Sequence, residues 1–445
     1  MRLLSIAVVV ISVALAAVIV WILGPGATWV LEHIDGATGL RGKDLAAALD
    51  AIRGRVLAVG TGLAALIAVF YTARNADTAR RTFQLGERGQ ITDRYGEAAE
   101  QLGHAQAPVR LAGLYALAQL GENTVSLRQT IVDVICAYLR MPYSPPREQD
   151  RQEEVDPEQD VPSTSALVGS GNLGVAKDPQ EEREVRLTAQ RILADHLRYR
   201  APEKRRWWQH STPDDRHWCE IRLDLTGALL LDFDFRHCHV MSATFNKATF
   251  YGDARFGEAT FAGDAWFNQA TFYGDARFGE ATFAHHVWFN QVTFTRIAQF
   301  DQVTITGDAW FEEAVFAANA WFKEATFSSH AWFANTTFTG DAQFDKAAFT
   351  KDVQFDGATF TGNASFNQAA FTRNAWFEAT FTGNAHFELA RGAEHIDLEE
   401  AHVARPSALH VWPPGWRGAE DQDGAAVLRR EPSTQKMKDA GETNE

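Results

Sequence analysis

Cysteine is scarce in this chain, with three in 445 residues, at positions 136, 219 and 238. Three thiols cannot build a disulfide framework, and their scarcity suits a reducing compartment. Basic residues fall short of acidic ones, 42 against 57, for a net charge of −15. Phosphate binding needs surplus Lys and Arg, so this balance argues against nucleic acid as the main partner. There is no P-loop and no GxSxG or HExxH motif. Methionine (4) and tyrosine (8) are few, yet phenylalanine numbers 30, so one structural slot recurs that asks for Phe.

Long uncharged runs are confined to the beginning of the chain. Leu3 to Leu23 is 21 residues without a charge. At about 1.5 Å per residue it spans a ~30 Å hydrocarbon layer. It is longer than a signal-peptide core and ends in Trp21 before Gly24-Pro25-Gly26. Val56 to Ala73 is a second run of 18, with Arg53 and Arg55 before it and Phe70-Tyr71 near its end. The sequence predicts two transmembrane helices, 3–23 and 56–73, within residues 1–73 and joined by a short loop. Arg2, Arg74, Arg80, Arg81 and Arg88 oppose Arg41, Lys43, Arg53 and Arg55, so the charge rule separates the sides by only five against four. The unpaired cysteines tip the reading to a multi-pass inner-membrane protein with both termini and the bulk of the chain cytoplasmic.

Residues 74–141 read as helical. A helix leaves the second span, and two shorter ones follow. Pro108 opens the first of these ahead of Leu111, Leu114, Leu117 and Leu120, with Gly121 as its cap; Ser126 caps the second, from Leu127 to Tyr138. The pair resembles one HEAT-type unit. Residues 142–183 hold six prolines and an acid-rich stretch and read as a disordered acidic linker. Glu184 to Tyr199 is an amphipathic helix within 184–222, which lead into the repeat. Residues 404–445 read as a disordered tail.

From Leu223 the chain is periodic. A spacing of five (Leu225, Leu230, Phe235, Val240, Phe245, Phe250) gives way to alternating six and five. The 27 slots from 245 to 387 hold 26 Phe and one Ile, Ile305. Each unit is Ala-x-Phe, with turn dipeptides such as Gly252-Asp253 between units. In an extended triad the first and third side chains share one side, and the middle one faces away. Strand, turn, strand, turn describes a solenoid. Two fives and two sixes make a 22-residue coil of four faces, and the outward columns support it: Trp266, Trp288, Trp310 and Trp332 are 22 apart, Gln354 interrupts, and Trp376 resumes.

Tandem Ala-x-Phe-x-x units resemble the pentapeptide-repeat family, here in a Phe-rich variant. The segments "GQITDRYGEAAEQLG", "VRLAGLYALAQLG" and "REVRLTAQRILADHL" resemble membrane-associated actinobacterial members. The resemblance covers about 74–140 and 184–403. It implies an all-β, right-handed quadrilateral β-helix over 223–403, joined to the N-terminal transmembrane hairpin and a small α-helical region. Some family members resemble DNA in their charge and block DNA gyrase.

Function follows from the surface. Between Leu223 and Val403 there are 23 acidic and 10 basic residues, a net −13. A solvated acidic face is one reading, and mimicry of DNA toward a type II topoisomerase such as gyrase is the alternative. The aromatic column of Trp266, Trp288, Trp310, Trp332 and Trp376 is the candidate partner surface, because aligned exposed aromatics favour protein interfaces. The competing reading is a ladder that only stabilises the stack. His237-Cys238-His239 is no zinc site, because Cys238 falls in an inward slot away from both neighbours. His285-His286 lies at a turn and reads as solvated. The expectation is a membrane-anchored, non-enzymatic binding or scaffold protein, with no catalytic residues, no cofactor and no metal. Its partners are proteins, with a second copy of the chain as a further candidate.

Overall fold

The computed structural model describes residues 2–36, 39, 41–145, 178–199, 217–406, 409–420 and 425–431. They fall into two compact units, Met1–Thr92 and Asp93–Glu445.

The first unit is helical. Helix α1 runs Arg2–Leu23 and α2 runs Gly26–His33. Helix α3 is a single 60-residue helix, Lys43–Leu102, whose last residues count with the second unit. Within α3, Lys43–Asp77 is long and apolar enough to cross a membrane. It contains the expected second span, but it begins well before Val56. The part of α1 from Val13 qualifies only together with α2, and the two are bent by 81°. Pro25 cannot continue α1, and it starts α2 instead. The loop expected between two spans is therefore largely helix.

The second unit joins a helical layer to a β-solenoid through one continuous apolar core. Helix α4 runs Ala107–Asn123, α5 runs Arg128–Arg140 and α6 runs Pro179–Leu197. Pro108 is in the first turn of α4 as expected. Gly121 is no cap; it lies inside α4, and the Trp218 indole sits where its Cβ would be, 2.5 Å away. Ser126 does not cap either, since it lies in the 3-10 turn Val125–Leu127 that precedes α5. The linker is also shorter than expected at its end. Asp178 accepts a hydrogen bond from the Gln180 N–H at 2.9 Å, and Pro179 opens α6 five residues before Glu184. These prolines and acids are helix-start chemistry, which resembles linker composition. Residues 146–177 and 200–216, with Trp207 and Trp208, lie outside the described residues.

The solenoid has four sheets, one per face, of nine, seven, seven and eleven strands, parallel throughout except for the last two strands of the eleven-stranded sheet. Coil length follows the sequence spacing. Arg222 pairs with Ser242, 20 residues on, where the spacing is five. Ala265 pairs with Val287, 22 residues on, where fives and sixes alternate. Thr359 pairs with Thr380, 21 residues on, where the register slips. The Phe slots from 245 to 387 are at most 3% exposed. Rings stack on the next coil, as in Phe311–Phe333 at 4.8 Å and 4°, and meet neighbouring columns edge-on, as in Phe311–Phe322 at 5.7 Å and 88°.

The corners carry their own ladders. An Asn or Asp oxygen accepts the backbone N–H one coil later: Asn246 from Asn268 at 2.9 Å, Asp264 from His286 at 3.3 Å, Asn319 from Asp341 at 3.1 Å. Asn and Asp serve alike, so the fold needs an acceptor there and no charge. Non-glycine residues with φ near +57° recur at the turns, among them Glu258, Gln302 and Glu324.

Both ends of the solenoid are covered. Gln129 of α5 and Gln190 of α6 hydrogen-bond the open edges at Arg222 and Leu231. At the other end the expected disordered tail is partly structured. Trp416–Glu420 and Ala426–Arg430 form an antiparallel hairpin whose second strand pairs with His402–Val403. Leu428 alternates inward in that strand and is fully buried, and Arg430 lies 5.6 Å over the Trp416 ring. Trp412 covers the last rings, 5.5 Å from Phe381. Residues 432–445 lie outside the described residues.

Candidate functional site

Alternation places the aromatic column. In each Ala-Trp-Phe or Val-Trp-Phe triad the flanking side chains point into the coil, so the indole must face out. Trp266, Trp288, Trp310 and Trp332 pair in register on successive coils of the nine-stranded sheet. Their centroids are 5.4, 4.8 and 4.9 Å apart, and their planes lie within 6° of parallel. Gln354 follows in register, and its Nε2 turns aside to donate to Asp356 at 2.8 Å. Trp376 continues the column beyond it. Four of the five expected indoles thus form one stack and the fifth stands apart.

Each of the five is half-buried. Stacked faces cover one another, so the rings present edges to solvent. None of the indole N–H groups of Trp266, Trp288, Trp310 and Trp332 meets an acceptor among the described residues. The column is a ladder and an open surface at once.

A second ladder runs along the corner beside it. Asp264, His286, Asp308, His330 and Asp352 alternate at 22-residue steps. His286 Nδ1 accepts from the Asp308 N–H at 3.1 Å and lies 3.6 Å from the Asp308 carboxylate. Asp308 Oδ1 accepts from Ser329 Oγ at 2.6 Å and from the His330 N–H at 3.1 Å. His330 Nε2 is 3.8 Å from Asp352. Partial burial pushes Asp308 up. Hydrogen bonds from Ser329 and His330, with His286 nearby, outweigh it and hold the carboxyl below its usual range.

His286 is not simply solvated, as its turn position suggested. Its ring wedges against Trp288 at 5.7 Å and Trp310 at 5.5 Å. His330 stacks on Trp332 at 5.6 Å. The signal for this ladder was in the sequence: the 22-residue step that aligns the Trp also aligns Asp with His.

Among the described residues no group of three or more His, Cys, Asp or Glu could hold a metal ion. Cys238 occupies an inward slot, its Sγ–H donating to the Ala194 carbonyl at 3.6 Å. One cavity of about 260 Å³ lies elsewhere, between the end of α3 and α4, lined by Arg94, Glu97, Gln101, Gln119 and Asn123 among others.

These features define a class, the four-sided parallel β-solenoid with a Phe interior. The family description "Pentapeptide repeats (9 copies)" matches overlapping stretches that together run from 245 to 391. Residues 245–391 of the solenoid thus carry the repeats of the pentapeptide-repeat family. No curated protein and no solved structure matches the chain. A pentapeptide-repeat β-solenoid is a structural and binding fold.

Proposed function

We propose that this protein is a membrane-anchored, non-enzymatic scaffold that contacts protein partners through the Trp266–Trp332 face of its solenoid. The carrying observation is the indole ladder itself. Four large aromatics lie in register on one face, half-buried, with edges and N–H groups unmatched by the described residues. Such rows are enriched at interfaces, where aromatic anchors supply most of the binding energy.

Anchoring rests on α3. Leu57, Val59, Leu66, Val69 and Phe70 are each more than half exposed along its apolar stretch. That much exposed apolar surface suits lipid better than water. The reduced, buried Cys136 and Cys238 favour a cytoplasmic solenoid. A cytoplasmic reporter fused after Glu445 is expected to be active and a periplasmic one silent; the opposite result refutes this topology.

Charge mimicry of DNA toward gyrase is the weaker reading. The corner acids are engaged as backbone acceptors, Asn substitutes freely for them, and Arg255, Arg277 and Lys346 interrupt the negative surface. Affinity capture with the full chain decides between the two. Capture of partners that Trp288→Ser/Trp310→Ser abolishes, with the circular-dichroism spectrum unchanged, supports the scaffold reading. Capture of gyrase that survives the double substitution supports mimicry.

A further inference from the structure

We infer that the partner on the Trp face is a second copy of this chain, docked antiparallel about a two-fold axis between the coils of Trp288 and Trp310. The inference rests on the reading of the ladder as a contact surface and names its occupant.

The first argument is spacing. The exposed edges repeat every coil, at centroid separations of 4.8 to 5.4 Å. An extended peptide laid along the axis repeats its side chains on one side at about 6.7 Å and falls out of step within two or three coils. Another parallel solenoid face repeats at the same step. Both ends of this solenoid are covered, by Gln129 and Gln190 on one side and by the Trp416–Arg430 hairpin on the other. Contact between copies is therefore lateral.

The second argument is charge. Two like faces of an acidic rod repel unless the pattern is self-complementary, and like charges in apposition are costly. An in-plane two-fold across the coils brings the same flank of each copy together in reversed order. With the axis midway between Trp288 and Trp310, Trp288 meets Trp310 of the other copy and Trp266 meets Trp332. The flanking ladder of Asp264, His286, Asp308 and His330 then sets every Asp against a His. On the other flank Glu312 meets Asn290 and Glu313 meets Gln291, so no carboxylate confronts a carboxylate. Shifting the axis onto the coil of Trp310 sets Asp308 and Glu312 against themselves. A parallel arrangement sets Asp308 against Glu312. Only the antiparallel half-coil register joins all four indoles without a like-charge pair.

About that axis eight of the nine strands overlap, over a width of about three residues, so the contact covers roughly 400 Å² per copy at ~4.8 Å per strand and ~3.3 Å per residue. That is below the area of stable complexes, so the dimer is weak.

Sedimentation equilibrium of the full-length chain in density-matched detergent tests this between about 1 and 200 µM. The expected result is a monomer–dimer equilibrium that Trp288→Ser/Trp310→Ser abolishes while the circular-dichroism spectrum stays that of the folded chain. His286→Asp alone should weaken it at least about tenfold, because an Asp then faces Asp308 of the other copy. Combining it with Asp308→His restores every cross-copy pair while placing like residues next to each other within the chain, so recovery of the dimer reports contact between copies. Both residue types already accept the next coil's N–H, at 3.1 Å in each case, so the exchange keeps the corner hydrogen bonds. A chain that stays monomeric throughout overturns the inference; the contact reading then stands or falls on the capture experiment. A dimer that survives the double Trp substitution overturns the face. A dimer weakened by His286→Asp and not recovered by the exchange overturns the register.

Discussion

The Gln190 side-chain amide hydrogen-bonds both backbone groups of Leu231, donating to the carbonyl at 2.7 Å and accepting from the N–H at 2.9 Å. Gln129 does the same at Arg222, at 2.8 and 2.9 Å. Each amide stands in for the missing neighbouring strand, so the first coil needs no further β-partner. Such a seal also removes an edge that would otherwise recruit another chain.

Removing the Gln190 amide is expected to be costly. Gln190 is 5% exposed, so Gln190→Leu strands a buried N–H and a buried C=O. At about 1–3 kcal/mol for each unsatisfied group, the loss is several kcal/mol. Gln129 is more exposed, and water can replace it, so Gln129→Leu should cost about 1 kcal/mol or less. Thermal melts that rank the two substitutions equally would contradict the strand-substitute role.

The Phe interior makes a graded prediction. Phe311 is fully buried and stacks on Phe289 at 4.9 Å and on Phe333 at 4.8 Å. Phe311→Ala should cost about 3–5 kcal/mol. Phe311→Ile should cost far less, because Ile305 already fills an equivalent slot with no exposure. Phe311→Asp buries an unpaired carboxylate and should prevent folding of the surrounding coils. Thr304→Asp, on an outward column, should leave the melting temperature nearly unchanged. Equal effects of Phe311→Asp and Thr304→Asp would invert the inside–outside assignment.

The solenoid was legible because its constraint is repetitive. Each Phe and each Ala reports the same inward slot, so the 22-residue coil and the Trp266–Trp332 column follow from counting. The helical caps were less legible because their information is local and singular. Gly121 looks like a helix end, yet its missing Cβ makes room for Trp218, which is nearly a hundred residues away in sequence. Glu182 looks like part of a solvated acid run, yet it neutralises buried arginines. The Ala426–Arg430 strand is hidden for a similar reason. Its alternation spans only five residues among charges and glycines, and its pairing partner is the last coil.

Thiol chemistry should separate the three cysteines. Burial pushes both Cys136 and Cys238 up to about 12, so neither forms thiolate near neutral pH. Cys219 is exposed. A disulfide reagent at pH 8 should titrate one thiol in the native protein and all three after denaturation. Cys219→Ser should abolish the native signal. Rapid native labelling of Cys238 would mean that α6 does not stay docked on the first coil.

That docking depends on Glu182, which gives the last prediction. Arg186 donates from Nε to Glu182 at 3.1 Å and from its two terminal nitrogens to the Leu139 and Met141 carbonyls at 2.9 and 2.6 Å. Its guanidinium also lies over Tyr143, 4.7 Å from the ring centre. Tyr138 donates to the same Glu182 oxygen at 2.8 Å, and Arg110 Nη2 lies 3.2 Å from the other. One carboxylate thus serves two arginines that are at most 1% exposed. Glu182→Ala leaves two buried cations facing each other without a counter-charge, and breaking such a pair typically costs about 3–5 kcal/mol. Tyr138→Phe removes one hydrogen bond and should cost about 1–2 kcal/mol. Arg186→Lys keeps the charge but cannot reach two carbonyls and a carboxylate together, so it should fall between the two. The double variant Glu182→Ala/Arg186→Leu should be more stable than Glu182→Ala alone, because it removes one stranded cation. Were the double variant the less stable, Arg186 would be holding the end of α5 through Leu139 and Met141 more than it depends on Glu182.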